Sequence, residues 1–354
     1  MSLKKNNKVK IPFRKITRIV LWVLLGLIVI LTGGISIMLF TPEVNLGNRT
    51  SDVVCIPTGS DFIKVSSILI KKKILRHPLF FYVAAHLENY PDHIKPGRYR
   101  ISNRLNAYKL VEHLNSGKQE PVKLTINPMR TKSDLAEKIS HTIEADSTQL
   151  VKLMNDSTFL SSFGLKPATA FVLIIPNTYE LFWNTSATQF IRKMDKERKK
   201  FWNENRQEKS RNEGLTIPEV ITLASIVEKE TAKNDEKKEI AGVYMNRLKK
   251  GMFLQADPTL IFAWNDYTIH RVMDRHKEIQ SPYNTYLYPG LPPGPICIPS
   301  IASIDAVLDY SHNDYYFFCA REDLSGYHNF ARTLQEHQHN AVRYQAAIRK
   351  LNIH

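Results

Sequence analysis

An uncharged run of 22 residues, Ile19 to Phe40, interrupts an otherwise ordinary globular composition. It contains Val20-Leu-Trp-Val-Leu-Leu25 and Leu27-Ile-Val-Ile-Leu31. As a helix rising ~1.5 Å per residue it would be about 33 Å long, enough to cross a hydrocarbon core of roughly 30 Å. A cleaved signal peptide or a buried helix would share this pattern. The run is longer than a usual signal h-region, however, and no small-x-small cleavage site follows it, so it reads as a retained membrane anchor. The remaining chain must then fold as a separate body on one side of that membrane.

Flanking charge indicates which side. Lys4, Lys5, Lys8, Lys10, Arg14, Lys15 and Arg18 precede the run, with no acidic residue among them. An excess of Lys and Arg stays cytoplasmic, so residues after 40 are expected outside the cytoplasmic membrane, on the periplasmic or extracytoplasmic side. The same tail suits anionic lipid headgroups. It supplies seven of the formal net charge of +15, leaving +8 for the rest. That excess would permit binding to an anionic polymer. Nucleic acid is not expected as a partner, because the domain is exported and carries no zinc-finger spacing or other nucleic-acid module. Three cysteines, Cys55, Cys297 and Cys319, are too few for a disulfide framework. Cys297 and Cys319 could pair in an oxidising compartment, but three reduced thiols is the preferred reading.

After a polar connector from Thr41 to Ser51, residues 53–126 read as a small α/β module. Val53-Val-Cys-Ile56, Arg98-Tyr-Arg-Ile101 and Pro121 to Ile126 suggest strands. A helix capped by Ser60, a second over Leu79 to Leu87 and a third over Leu105 to Leu114 lie between them. From Thr131 helical patterns dominate, and the charged stretch Lys193 to Arg211 reads as a solvated face.

Within this helical part, Thr216-Ile-Pro-Glu219 is a capping box with proline in the first turn, and it starts a helix. The helix ends in Leu223-Ala-Ser-Ile-Val-Glu-Lys-Glu-Thr231, bringing two carboxylates to the end of an apolar run. A carboxyl held against apolar side chains loses hydration, its pKa rises, and it becomes a candidate general acid. A helical wheel puts Glu230 beside Leu223 and Ile226 and Glu228 beside Ile221 and Ala224, so periodicity does not choose between them. A further helix over Asp235 to Lys250 should stop at Gly251. Beyond it, Gln255-Ala-Asp-Pro-Thr259, Ser281-Pro-Tyr-Asn-Thr-Tyr286 and Gly290-Leu-Pro-Pro-Gly-Pro295 are rich in proline and glycine, and read as rigid loops. Their Gln255, Asp257, Asn284, Thr285 and Tyr286 could line a groove for a polar polymer, with Tyr rings stacking on sugars. Each could equally stabilise a turn.

The set Ser225-Ile-Val-Glu-Lys-Glu-Thr231, Asn246-Arg-Leu248, Gly251-Met252, Leu254-Gln255, Asp257-Pro-Thr259, Tyr283-Asn-Thr-Tyr286 and Gly290-Leu-Pro-Pro-Gly-Pro-Ile296 resembles the YceG-like endolytic murein transglycosylases in order and spacing. Lys95-Pro-Gly-Arg-Tyr-Arg100 and Leu114-Asn-Ser-Gly117 resemble that family's membrane-proximal LysM-like subdomain. Gly326-Tyr-His-Asn-Phe330, His337 and Asn340 resemble its C-terminal end. The resemblance covers residues 10–345 and implies an α+β protein. Its expected parts are a cytoplasmic basic tail (1–18), a transmembrane helix (19–40), a LysM-like α/β subdomain (41–126) and a mainly helical, lysozyme-like catalytic domain with long loops (127–354).

It also implies a chemistry. Such enzymes cut the β-1,4 bond between N-acetylmuramic acid and N-acetylglucosamine inside a strand, the muramic C6 hydroxyl attacking C1 to leave a 1,6-anhydro end. No second carboxylate is needed to activate water, unlike in inverting glycosidases. The family's catalytic glutamate directly precedes Thr, which selects Glu230 here and leaves Glu228 as a structural or modulating neighbour. The implied partners are peptidoglycan strands, the cytoplasmic membrane and penicillin-binding synthases, with termination of nascent strands as the role. Two departures bear on the substrate groove: Phe171-Val172 stands where family members commonly have Glu-Gly, and Asn177 where they have Asp. No cofactor or metal is expected, since His-Glu-x-x-His is absent and His328 and His337 have no run of acidic ligands nearby. A non-catalytic membrane-tethered glycan-binding scaffold is the competing class. It would have no need of a desolvated carboxyl.

Overall fold

The computed structural model describes residues 13–350. Lys4, Lys5, Lys8 and Lys10 of the basic tail lie outside this range. The chain forms two compact units, Met1–Pro121 with Phe182–Asn184, and Val122–Leu181 with Thr185–His354.

The first unit begins with α1 (Phe13–Phe40), which extends the expected span toward the N-terminus. None of its most apolar 18-residue window is buried, and the helix is long and apolar enough to cross a membrane. Met38, near its end, joins the unit's core. Next come β1 (Ser51–Ile56), α2 (Phe62–Lys71), α3 (Pro78–Leu87), β2 (Gly97–Ser102) and α4 (Ala107–Ser116). β1 and β2 pair antiparallel, with Val54 opposite Tyr99. Val54, Ile56, Val65, Leu69, Phe81, Tyr99 and Leu110 fill the space between strands and helices. The α2 cap is Asp61 rather than Ser60: its carboxylate accepts from the Lys64 amide at 2.7 Å. Gly117 ends α4 in the left-handed conformation, as the sequence suggests.

In the second unit, β3 (Val122–Ile126) pairs antiparallel with β4 (Asn177–Leu181). Sequence alone grouped residues 122–126 with the first module. Their strand partner lies some fifty residues on, in register Lys123 opposite Glu180, so the junction falls at Pro121. Between these strands run α5 (Lys132–Ser140), α6 (Ser147–Leu153), α7 (Ser157–Ser161) and a short 3-10 turn, Pro167–Leu173. Phe171 is core in that turn, and Asn177 is exposed at the start of β4. After β4 come α8 (Ala187–Phe201), α9 (Glu204–Asn212), α10 (Ile217–Glu230), α11 (Lys237–Lys249), α12 (Asp257–Trp264), α13 (Asp274–Lys277), α14 (Ile301–Leu308), β5 (Phe317–Ala320), β6 (His328–Ala331) and α15 (Leu334–Lys350).

The Thr216 capping box forms as expected, with both hydrogen bonds present. α10 is the axis of this unit. Every residue from Val220 to Val227 is buried, so the helix is covered on all sides. That is why a wheel could not assign its two carboxylates to different environments. The expected loop at 257–259 is instead the first turn of α12, where Pro258 fits because a first-turn amide needs no partner within the helix.

The Gly290–Pro295 loop packs closely against the 3-10 turn. A Cβ on Gly294 would lie 2.0 Å from the backbone carbonyl oxygen of Ala168. Neither backbone can yield without moving its element. Gly294→Ala is therefore expected to destabilise the protein by about 3 kcal/mol, at the upper end for overpacking. Denaturant unfolding checks this, and an unchanged midpoint would refute the close approach.

Candidate active site

Glu230 is the last residue of α10, and Thr231 is its extended C-cap. The helix end is tied down beyond that cap. The Thr231 hydroxyl donates to Glu236 Oε2 at 3.4 Å and accepts from the Lys233 amide at 3.0 Å. Glu236 in turn receives the His328 amide at 2.7 Å and faces His328 Nδ1 at 2.7 Å. His328 thus braces the helix end from β6 through Glu236. Among the described residues no three His, Cys, Asp or Glu side chains cluster as a metal site.

The Glu230 side chain opens into a cavity of about 240 Å³ lined by Tyr244, Arg247, Gln255, Asp257, Tyr286 and His337. The Tyr244 phenol donates to Glu230 Oε1. Burial pushes the Glu230 carboxyl up to about 7; the Tyr244 hydrogen bond opposes this, the Asp257 charge adds to it, and Arg247 opposes it. Near neutral pH this carboxyl therefore exchanges a proton readily, the property required of a general acid that must later act as a base. Arg247 is held by backbone carbonyls, at 2.6 Å from Tyr316 O and 2.7 Å from Leu254 O. Its guanidinium lies over the Phe317 ring at 5.3 Å.

Of the five loop residues expected to meet substrate, three reach this cavity. Asp257 accepts a 2.5 Å hydrogen bond from the Tyr286 hydroxyl. Gln255 adopts φ 49°, an uncommon left-handed backbone for a side-chain-bearing residue, and its amide donates to Thr285 O at 3.1 Å. Asn284 and Thr285 do not reach it; they are 0% and 1% exposed. Asn284 donates to Lys277 O at 2.7 Å and Ile279 O at 2.9 Å, and accepts from the Tyr286 amide at 2.9 Å. Thr285 Oγ1 accepts from the Ala256 amide at 3.0 Å. Both residues spend their polar atoms satisfying a buried loop that has no regular ladder. They hold Tyr286 and the 255–257 segment in place.

The two carboxylates of α10 have opposite environments. Glu228 Oε2 accepts from the Ser300 and Ser303 hydroxyls, each at 2.5 Å, and from Lys237 Nζ at 3.0 Å. Burial favours its neutral form, but these hydrogen bonds and the Lys237 charge outweigh burial and hold the group below its ordinary pKa. Glu228 is thus held toward its ionised form and Glu230 toward its neutral form.

Sequence reasoning missed Tyr244 and did not single out Arg247 or Phe318. A detectable signal existed for the first two: Tyr244 and Arg247 follow Ile240 at spacings of four and three, polar groups on the buried face of α11. His337 entered the sequence reading through the resemblance of the C-terminal end. It lines the cavity, its ring stacked on Phe317 at 5.4 Å, and no spacing in the sequence connects it to α10. Cys55, Cys297 and Cys319 form no disulfide.

Residues 54–343, a stretch containing every residue of this cavity, match the model of the YceG-like family. The chain is 26% identical over 315 residues to the endolytic murein transglycosylase of Bacillus subtilis (strain 168), which covers 84% of this chain and 86% of that protein. It is 28% identical over 326 residues to the endolytic murein transglycosylase of Streptococcus pneumoniae serotype 2, covering 82% of this chain and 58% of that longer protein. A YceG-like protein from Listeria monocytogenes has a similar structure, with a TM-score of 0.55 at 30% identity, covering 82% of this chain and 98% of that one.

Proposed function

This chain belongs to the YceG-like family, and from that membership and the chemistry of its cavity we propose that it is a membrane-anchored endolytic transglycosylase. It cuts the β-1,4 bond between N-acetylmuramic acid and N-acetylglucosamine in peptidoglycan. The observation that carries this reading is Glu230, a carboxyl poised at about 7 in a cavity lined by polar and aromatic side chains.

The neutral Glu230 carboxyl protonates the leaving glycosidic oxygen as the C1–O bond breaks. The muramic C6 hydroxyl closes on C1, and the Glu230 carboxylate takes its proton. One bond is lost, one is formed, and the enzyme returns to its protonated state with no water consumed. Asp257, through its negative charge, raises the proton affinity of Glu230, while Tyr286 and Gln255 offer hydrogen-bonding and stacking surface for sugar. The βααβ order of the first unit is the reason to read it as a LysM-like glycan-binding subdomain. The α1 anchor, with its basic flank kept cytoplasmic, would hold the cavity close to the outer face of the membrane. New strands emerge there, so termination of nascent strands alongside penicillin-binding synthases is the role that fits.

The direct test is mass spectrometry of purified murein digested by the full chain in detergent. Fragments ending in 1,6-anhydro-muramic acid are expected. Fragments with only hydrated reducing ends would reject the internal C6 attack, and no fragments at all would favour the non-catalytic scaffold.

The pH profile offers a second check. Catalysis needs protonated Glu230, so the rate should fall as pH rises through about 7. Tyr244 donates to the ionised carboxylate and so favours it. Tyr244→Phe is expected to move that alkaline limb upward by roughly one pH unit. A limb that stays in place would show that Tyr244 does not tune the acid.

A further inference from the structure

Glu230 also lines a second cavity, of about 500 Å³, whose character is unlike the first. Arg130, Lys229, Asn234 and Lys237 line it. Lys237 is committed to Glu228, with 4% of its side chain exposed. Arg130 and Lys229 are not: among the described residues neither has an acidic partner within salt-bridge distance. Arg130 is steadied by lying over the Tyr267 ring at 5.3 Å. The same two cations border an adjoining notch of about 80 Å³, walled by Ile261, Phe262 and Tyr267.

The sugar rings of the glycan are neutral and do not call for two uncommitted cations. The peptide carried on the muramic lactyl group has free carboxylates and alanyl methyls within a few bonds of each other. Carboxylates suit Arg130 and Lys229, and a methyl suits the apolar notch.

We propose that the cavity between Arg130 and Lys229 is a subsite for the acidic peptide stem of peptidoglycan, so that the site reads the stem as well as the glycan. This rests on the murein reading above and names a part of the substrate that the first cavity does not account for.

The test measures binding of two murein fragments to the full chain in detergent by isothermal titration calorimetry. One fragment carries a stem with free carboxylates, the other the same stem with its carboxylates amidated. The free-acid form should bind about tenfold more tightly at low salt, through two partly exposed ion pairs. That advantage should shrink at 0.5 M salt as screening shortens the range of the charges. Arg130→Gln combined with Lys229→Gln should abolish it, while Lys229→Arg alone should keep it. Unchanged thermal unfolding of each variant keeps the comparison valid. Equal affinity for the two fragments in the wild-type chain would overturn the proposal. So would equal loss of affinity for both in the double variant, or displacement of the free-acid fragment by linear polyphosphate at equal charge concentration, which would mark a general polyanion site. Binding is read apart from cleavage. An intact affinity difference with no anhydro products would reject the transglycosylase reading and leave the stem subsite standing.

Discussion

Replacing Glu230 by Gln is expected to lower kcat for murein cleavage by about 10³-fold while leaving KM within roughly twofold, the size expected for removing a general acid. The amide keeps the shape of the carboxyl and can still accept from Tyr244, so the cavity should remain intact. What it cannot do is deliver a proton to the glycosidic oxygen or recover one from the C6 hydroxyl. The same change should stabilise the fold in alkaline solution, and the sign follows from the raised pKa. The ordinary value of 4.5 moves to about 7 in the folded protein, so folding takes up a proton between these limits. The stability associated with the neutral carboxyl is complete below 4.5 and is lost as pH rises through 7. At pH 8 the wild-type protein carries a desolvated charge that the Gln variant does not. Glu230→Gln should be more stable there by about 2 kcal/mol and nearly equal at pH 4. Kinetics with a defined glycan and denaturant unfolding at both pH values check the two halves. Undiminished cleavage would remove Glu230 from the mechanism. Equal stability at pH 8 would mean that its carboxyl is hydrated.

How much of this could be read from the sequence depended on the range of the interactions involved. The long apolar helix is a matter of length and composition, and the Thr216 capping box is complete within four residues, so both were legible. So was the stop of α4 at Gly117. The pairing of β3 with β4 was not, because nothing in Val122–Ile126 itself specifies a partner far along the chain. The choice between groove and turn for Asn284 and Thr285 stayed open for a related reason. Side chains that can bond a hydroxyl or acetamido group can equally bond backbone carbonyls and amides. The choice depends on whether the loop is buried, which composition does not reveal. Choosing between Glu228 and Glu230 from periodicity failed because α10 is enclosed on every side. The distinction comes from Ser300, Ser303 and Lys237 on one carboxylate and Tyr244 on the other, residues contributed by separate elements.

That same distinction predicts an opposite outcome two residues away. Glu228 holds Lys237, whose side chain is 4% exposed against 15% for the glutamate. Removing the anion would leave a buried ammonium with the Ser300 hydroxyl at 3.2 Å as a remaining partner. An ion pair so placed adds little in itself, but stranding one member is costly. Glu228→Gln should destabilise the protein by about 3 kcal/mol, and Glu228→Gln with Lys237→Met should recover most of that loss by removing the stranded charge. Because the folded pKa of Glu228 lies below 4.5, its contribution is present above 4.5 and fades as pH falls through the lower folded value. The gap between wild type and variant should therefore narrow in acid. Cleavage by the folded Glu228→Gln protein should stay within about tenfold of wild type, since the donors on Oε2 hold this carboxylate ionised and it has no proton to give. The two substitutions thus separate by sign: Gln at 230 removes activity and adds alkaline stability, whereas Gln at 228 removes stability and leaves activity. Loss of cleavage in a Glu228→Gln protein with an unchanged unfolding midpoint would exchange the roles of the two carboxylates.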